Sequence, residues 1–211
     1  MKMIKHFIVF WLVVSLLGCV NFGNSSSNTL SQNFKYIPFT TRQQSLSKLS
    51  QFNLQGSFSI QQNGQLPVIA NYDWQQQSPQ QYHIDINAPL NLVHADISRN
   101  QQNVSIHTSQ GQTATANSAE MLMGQMLGWS LPISDLWFWV RGLPANTLPL
   151  NIYYDQYGHV RMLQQEGWTV HFLQYASISP YLDLPQQILL RRPGITAKIV
   201  IKNWNVGYST L

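Results

Sequence analysis

Apolar and polar residues alternate along most of this chain, and the alternation predicts strands. Phe52, Leu54, Gly56, Phe58 and Ile60 are separated by polar neighbours, as are Leu66, Val68, Ala70, Tyr72 and Trp74. A period of two sends alternate side chains to opposite faces of a strand. Asn63-Gly64 lies between the two runs and is a favoured pair for a tight hairpin turn. Tyr82, Ile84 and Ile86 predict a third strand, Val93, Ala95 and Ile97 a fourth, and Val104, Ile106 and Thr108 a fifth. After an interruption, strands are predicted over 150–154, 160–164, 168–175, 187–191 and 195–204, joined by short connections with Gly158, Gly167 and Pro193-Gly194. About ten short strands with turns at close intervals imply a sandwich or a curved antiparallel barrel.

The interruption, residues 117–144, is the one stretch with strong helical signals. Asn117 suits a helix cap with Glu120 three residues on. Leu122, Met123, Met126 and Leu127 share one helix face, and Gly128 suits the stop. Pro132 then suits the first turn of a second helix and Gly142 its end. Ile133, Leu136, Trp137, Phe138, Trp139 and Val140 lie between, with Ser134 and Asp135. That helix is apolar nearly all round and must touch apolar material on more than one side. It either plugs the sheet as core or covers a cavity as a lid; the pattern alone favours the plug. A further short helix is predicted over 40–50, with Leu46 and Leu49 on one side.

The start of the chain changes the picture. Lys2 and Lys5 precede an apolar run from Phe7 to Leu17, which ends in Leu16-Leu17-Gly18-Cys19. The run has the length of a signal h-region and is short for a bilayer span. Its end matches the lipobox of bacterial lipoproteins; the alternative is an ordinary secretory signal with an incidental cysteine. The expectation is a signal peptide over 1–18, a lipidated Cys19 with a flexible Asn- and Ser-rich tether to residue 38, and one domain over 39–211. Cys19 is the sole cysteine, so the exported chain has no disulfide. Val20 rather than Asp follows it, which by the sorting rule of enteric bacteria points to the outer membrane.

Removal of the first 18 of 211 residues leaves 193, and loss of Lys2 and Lys5 cuts the basic side chains from 12 to 10 against 8 acidic. No basic cluster for nucleic acid remains. Five histidines, His83, His94, His107, His159 and His171, are scattered without metal-ligand spacing. The chain has no G-x-S-x-G elbow and no phosphate-binding glycine loop. Asp73, Asp85 and Asp96 can approach one another across paired strands, although a polar face explains them as well. Nothing in the residues predicts an enzyme, a metal or a cofactor. Between the third and fourth strands lies Pro89-Leu90-Asn91; a leucine there usually folds back into the core, the sharper reading being an exposed Leu90 that dips into an apolar phase.

These residues together resemble a known family. The lipobox, Gly56-Ser57-Phe58, Trp74-Gln75, Pro89-Leu90, Ala119-Glu120-Met121, Gly128, Pro132, Leu136, Trp139 and Gly142-Leu143-Pro144 are similar to LolB, the outer-membrane lipoprotein acceptors. Trp168-Thr169-Val170, Tyr175, Leu184-Pro185 and the segment 199–204 fit as well. The resemblance implies a mainly β fold, an incomplete antiparallel barrel of ten or eleven strands around an apolar cavity with a short helical lid over 117–144. It implies a non-enzymatic function: taking lipoproteins from a LolA-like periplasmic carrier and inserting them into the outer membrane. Partners are then that carrier, acylated lipoproteins and outer-membrane lipids, with the protein acting as a monomer. It implies a membrane-entering Leu90, in a loop where Asn91 replaces the family's glycine. Phe58, Tyr72 and Trp74 from the sheet and Leu122, Met126, Leu136 and Trp137 from the lid are the expected acyl-chain lining, with ordinary core as the alternative for each. The alternative function is a structural lipoprotein whose filled barrel packs against partners.

Overall fold

The computed structural model describes residues 34–89 and 94–207. Cys19, Leu90 and Asn91 lie outside them. A short helix, α1 (Phe39–Ser47), precedes β1 (Gln51–Gln62), β2 (Val68–Ser78), β3 (Gln81–Asn87), β4 (His94–Asn100), β5 (Asn103–Thr108) and β6 (Thr113–Ala116). Helices α2 (Ala119–Leu127) and α3 (Ile133–Trp139) follow. Then come β7 (Asn151–Tyr154), β8 (Val160–Gln165), β9 (Trp168–Ser179), β10 (Leu182–Arg192) and β11 (Ile195–Gly207).

The eleven strands form one antiparallel sheet in the order β6-β5-β4-β3-β2-β1-β11-β10-β9-β8-β7. The first and last strands pair in the middle, while β6 and β7 stand at the edges. The fold is therefore an incomplete barrel, and the helical segment is the connection that runs from one edge strand to the other. Curvature has a local cause at Gly56. There the β1–β11 register slips: Gln55 pairs with Asn203 and Gly56 with Ile201, leaving Lys202 as the extra residue of a bulge. A Cβ on Gly56 would lie 1.9 Å from the Val200 carbonyl oxygen, so only glycine permits this approach.

Alternation explains the interior. Along β1 every second residue from Phe52 to Ile60 is buried. Leu54, Ile97, Val104, Ile106, Leu163, Val170, Leu184, Ile188 and Leu190 are buried from their strands, and Leu122, Met123, Leu136 and Trp139 from the helices. On the outer face, Asp73, Asp85 and Asp96 stand directly opposite one another across β2, β3 and β4.

Three details differ from the sequence reading. Leu66 is 92% exposed in the β1–β2 turn, and β2 begins at Val68; with Asn63 and Gly64 both at positive φ, the chain needs further residues before pairing resumes. The cap of α2 is Ser118, whose Oγ accepts from the Met121 amide at 3.4 Å, and not Asn117. The one strand beyond the ten expected, β6, has the sequence Thr-Ala-Thr-Ala, too weakly apolar to register as a strand.

Helix α1 is fastened by a buried polar cluster. Arg42 donates to Asp183 Oδ2 at 3.0 Å, and His159 Nε2 lies 3.1 Å from the same oxygen. The other nitrogen of His159 is 2.9 Å from Asp155, and Ser177 donates to Asp183. Burial works against the Asp183 carboxylate, but bonds from His159, Ser177 and Arg42 outweigh it and hold its pKa below the usual carboxylate value. The histidine ring stacks on Tyr175 at 4.3 Å.

Candidate functional site: an apolar cavity and a cleft beneath the helical segment

The helical segment is held at three places. The Glu120 carboxylate accepts from the Ser118 hydroxyl at 2.6 Å and from the Ser134 amide at 2.9 Å. It ties the start of α2 to the start of α3 instead of closing a capping box. Helix α3 ends in a Schellman turn: Gly142, at φ 76°, donates to Trp139 O at 2.9 Å, and Leu143 donates to Phe138 O at 3.2 Å. Beyond it, buried Gln165 accepts from Trp139 Nε1 at 3.2 Å and from the Ala145 amide at 2.8 Å.

The third fastening is Arg141, only 1% exposed. Its Nε donates to Trp137 O at 2.9 Å and its Nη1 to Leu49 O at 2.9 Å and Leu46 O at 3.4 Å. Its guanidinium stacks 3.8 Å over the Trp137 ring. The positive group thus closes the carbonyl end of α1. Burial lowers its pKa to about 10.

Between this segment and the sheet lies an apolar cavity of about 40 Å³. Phe58, Tyr72, Trp74, Ile84, Ile86 and Ile199 wall it from the sheet, and Met123, Leu131, Ile133, Leu136 and Val140 from the helical segment. A water needs roughly 10–15 Å³ on such a measure, and an engineered cavity of about 150 Å³ takes a benzene. The space is therefore residual, its wholly apolar lining keeps it dry, and Ile133, Leu136 and Val140 face the sheet across it. Burial pushes the Tyr72 phenol well above its ordinary range, and its hydroxyl donates to Val200 O at 3.3 Å.

A larger cleft of about 530 Å³ adjoins it, sharing Trp74 and Ile133 as walls. Gln76, Tyr82 and Arg99 line it from the sheet, Asp135, Trp137 and Phe138 from α3, and Asn146 and Thr147 from the loop beyond. Burial, then Glu166 and Glu120, raise Asp135 to about 6. Burial and Glu120 raise Tyr82 to about 12, against the opposing effect of Arg99.

Of the residues expected to line a cavity, Phe58, Tyr72, Trp74 and Leu136 meet around the dry space. Leu122 is buried elsewhere in the core, Met126 is part-buried against it, and Trp137 lines the neighbouring cleft. Helix α2 packs on β5 and β6, which turns Leu122 away from the cavity. Of the lining residues not anticipated, the three from the sheet follow from register: Ile86 pairs with Tyr72, Ile84 with Trp74, and Ile199 with Phe58; Met123, Leu131, Ile133 and Val140 come from the helical segment. Pro89 closes the described part of the β3–β4 connection.

Comparisons with known proteins agree with this architecture. The chain is 42% identical over 159 residues to the outer-membrane lipoprotein LolB of Coxiella burnetii, covering 75% of this chain and 74% of that one. It is 31% identical over 208 residues to the LolB of Pseudomonas fluorescens, covering 95% and 96%. Among solved structures, a LolA superfamily protein from Nitrosomonas europaea shares the fold with a TM-score of 0.54 and 9% identity, over 81% of this chain and 94% of that one. The sequence model described as outer membrane lipoprotein LolB matches residues 50–204. An open eleven-stranded barrel with an apolar helical segment in its mouth, carrying this sequence match along its length, belongs to the LolB family of outer-membrane lipoproteins.

Proposed function

We propose that this protein takes lipoproteins from a LolA-like periplasmic carrier, shelters their acyl chains between α3 and the sheet, and delivers them into the outer membrane. As a LolB family member it is an outer-membrane lipoprotein with a role in lipoprotein localisation, not an enzyme. The finer reading rests on one observation: around Leu136 and Ile133 of α3 the helical segment meets the sheet through apolar side chains alone, and that contact is already interrupted by a dry cavity. Exposing one acyl chain to water costs on the order of 10 kcal/mol, at about 0.8 kcal/mol per CH₂. Apolar walls that part from each other supply the matching phase. Because the cavity holds about 40 Å³, cargo enters only as α3 yields its place. Energetically this is exchange: acyl carbons replace Leu136, Ile133 and Val140 against the same sheet residues, so handover between similar pockets needs no ATP.

Delivery is assigned to the rim that carries the β3–β4 connection. The adjacent β1–β2 turn exposes Leu66, and full transfer of one leucine is worth about 1.5–3 kcal/mol. Leu90 has the same chemistry in its neighbour. The protein acts here as a monomer with its anchor at Cys19. The small cavity also favours a second reading, a filled barrel serving as a structural module. The two separate on one experiment: the chain carrying Cys19→Ala is mixed with a carrier loaded with labelled lipoprotein. Transfer of label to this chain, with Leu90→Glu blocking only its later release into liposomes, is expected. No transfer, together with no binding of bis-ANS, supports the structural module instead.

A further inference from the structure

We infer that the cleft beside the dry cavity is the seat of the glyceryl-ester head of an acylated cysteine, and that the guanidinium of Arg99, which lines the cleft, is the donor to its carbonyls. The inference rests on the acyl-chain reading above and extends it to the polar end of the cargo. A lipoprotein terminus is an amphiphile: its tails need a dry phase, and its ester carbonyls need donors at the edge of that phase. The two spaces stand in that relation. The cleft and the cavity share Trp74 and Ile133 as a common wall, so a head seated in one places its tails against the other. At about 530 Å³ the cleft is open while the cavity is nearly filled. The head therefore docks first, and the tails follow as α3 shifts.

The polar groups favour a neutral head. Arg99 and Asp135 face the cleft from opposite walls, so an ester or amide suits it better than a phosphate, which Asp135 and nearby Glu120 repel. The helical segment also carries unmet donors. Trp129 Nε1 and Trp137 Nε1 are both buried without a hydrogen-bond partner among the described residues. A buried orphan donor is costly, so the seated segment carries a standing penalty that it sheds as α3 yields its place.

The test uses the Cys19→Ala chain and two probes: a dipalmitoylglyceryl-cysteine peptide, and the same peptide with dialkyl ether linkages in place of the esters. The expected result is that the ester probe binds about fivefold more tightly than the ether, the worth of one hydrogen bond. Arg99→Gln, which spares the helical segment, abolishes that preference by weakening the ester probe. Phosphatidylglycerol competes poorly. Equal binding of ester and ether by the parent chain, equal losses for both probes in Arg99→Gln, or full competition by phosphatidylglycerol overturns the inference. Failure of the ether probe to bind at all overturns the acyl-chain reading itself.

Discussion

Replacing Arg141 by methionine tests how the helical segment is held. Methionine keeps an unbranched apolar stem, is shorter, and removes every donor. Leu49 O and Trp137 O then lose the donors that reach them at 2.9 Å, while Leu46 O keeps the Leu49 amide; an orphaned buried acceptor costs about 1–3 kcal/mol. Loss of the stacking on Trp137 adds about 2 kcal/mol for a desolvated pair. Against these stands the relief of burying a charge. Burial lowers the Arg141 pKa to about 10, a fall that corresponds to about 3 kcal/mol at 1.36 kcal/mol per unit. The balance is a net destabilisation of about 3 kcal/mol, or roughly 6–12 °C in melting temperature for a domain of this size. Arg141 also joins α1 to α3, so the variant should free the helical segment and increase bis-ANS binding under native conditions. Urea denaturation and dye titration measure the two effects. A variant within 1 kcal/mol of the parent, with unchanged dye binding, would refute the idea that this guanidinium fastens the segment.

Other predictions concern charge. Asp183→Asn leaves buried Arg42 without its counter-ion and should cost about 3–5 kcal/mol near neutral pH. Because the Asp183 pKa is depressed, its stabilisation is present above the unfolded value near 3.8 and disappears as pH falls through the folded value; melts at descending pH should converge for variant and parent. Asp135 is shifted the other way, to about 6, so its charge opposes the folded state above that pH. Asp135→Asn should raise the urea midpoint above pH 6 and make no difference below about 3.8. Asp85→Asn removes the middle member of the Asp73–Asp85–Asp96 row and should stabilise by roughly 0.2–1 kcal/mol at low salt, fading as salt is added.

The sheet was legible because its signal is local. Phe52 to Ile60 alternates in the sequence and alternates in burial, and Asn63-Gly64 turns the chain where expected. The edge strand β6 was not, because Thr-Ala-Thr-Ala at an exposed edge buries little. Glu120 was visible as a helix-start residue, yet its partner, the Ser134 amide, sits fourteen residues on, in another helix. Arg141 carries no local sign of burial, since its partners Leu46 and Leu49 are more than ninety residues away. Whether α3 plugs or covers was beyond the pattern for a physical reason. An apolar helix seated in an apolar barrel has the same composition in both roles, and what separates them is how readily it leaves.

That question has a direct measurement. A lipoprotein carrying a photoreactive group in its acyl chain is transferred to the Cys19→Ala chain, irradiated, and the adducts are mapped by mass spectrometry. The account predicts adducts on the inner wall, at Phe58, Tyr72, Ile84, Ile86 and Ile199, and on the facing side of α3 at Leu136. Adducts confined to the outer face of the sheet, with that wall unlabelled, would contradict it.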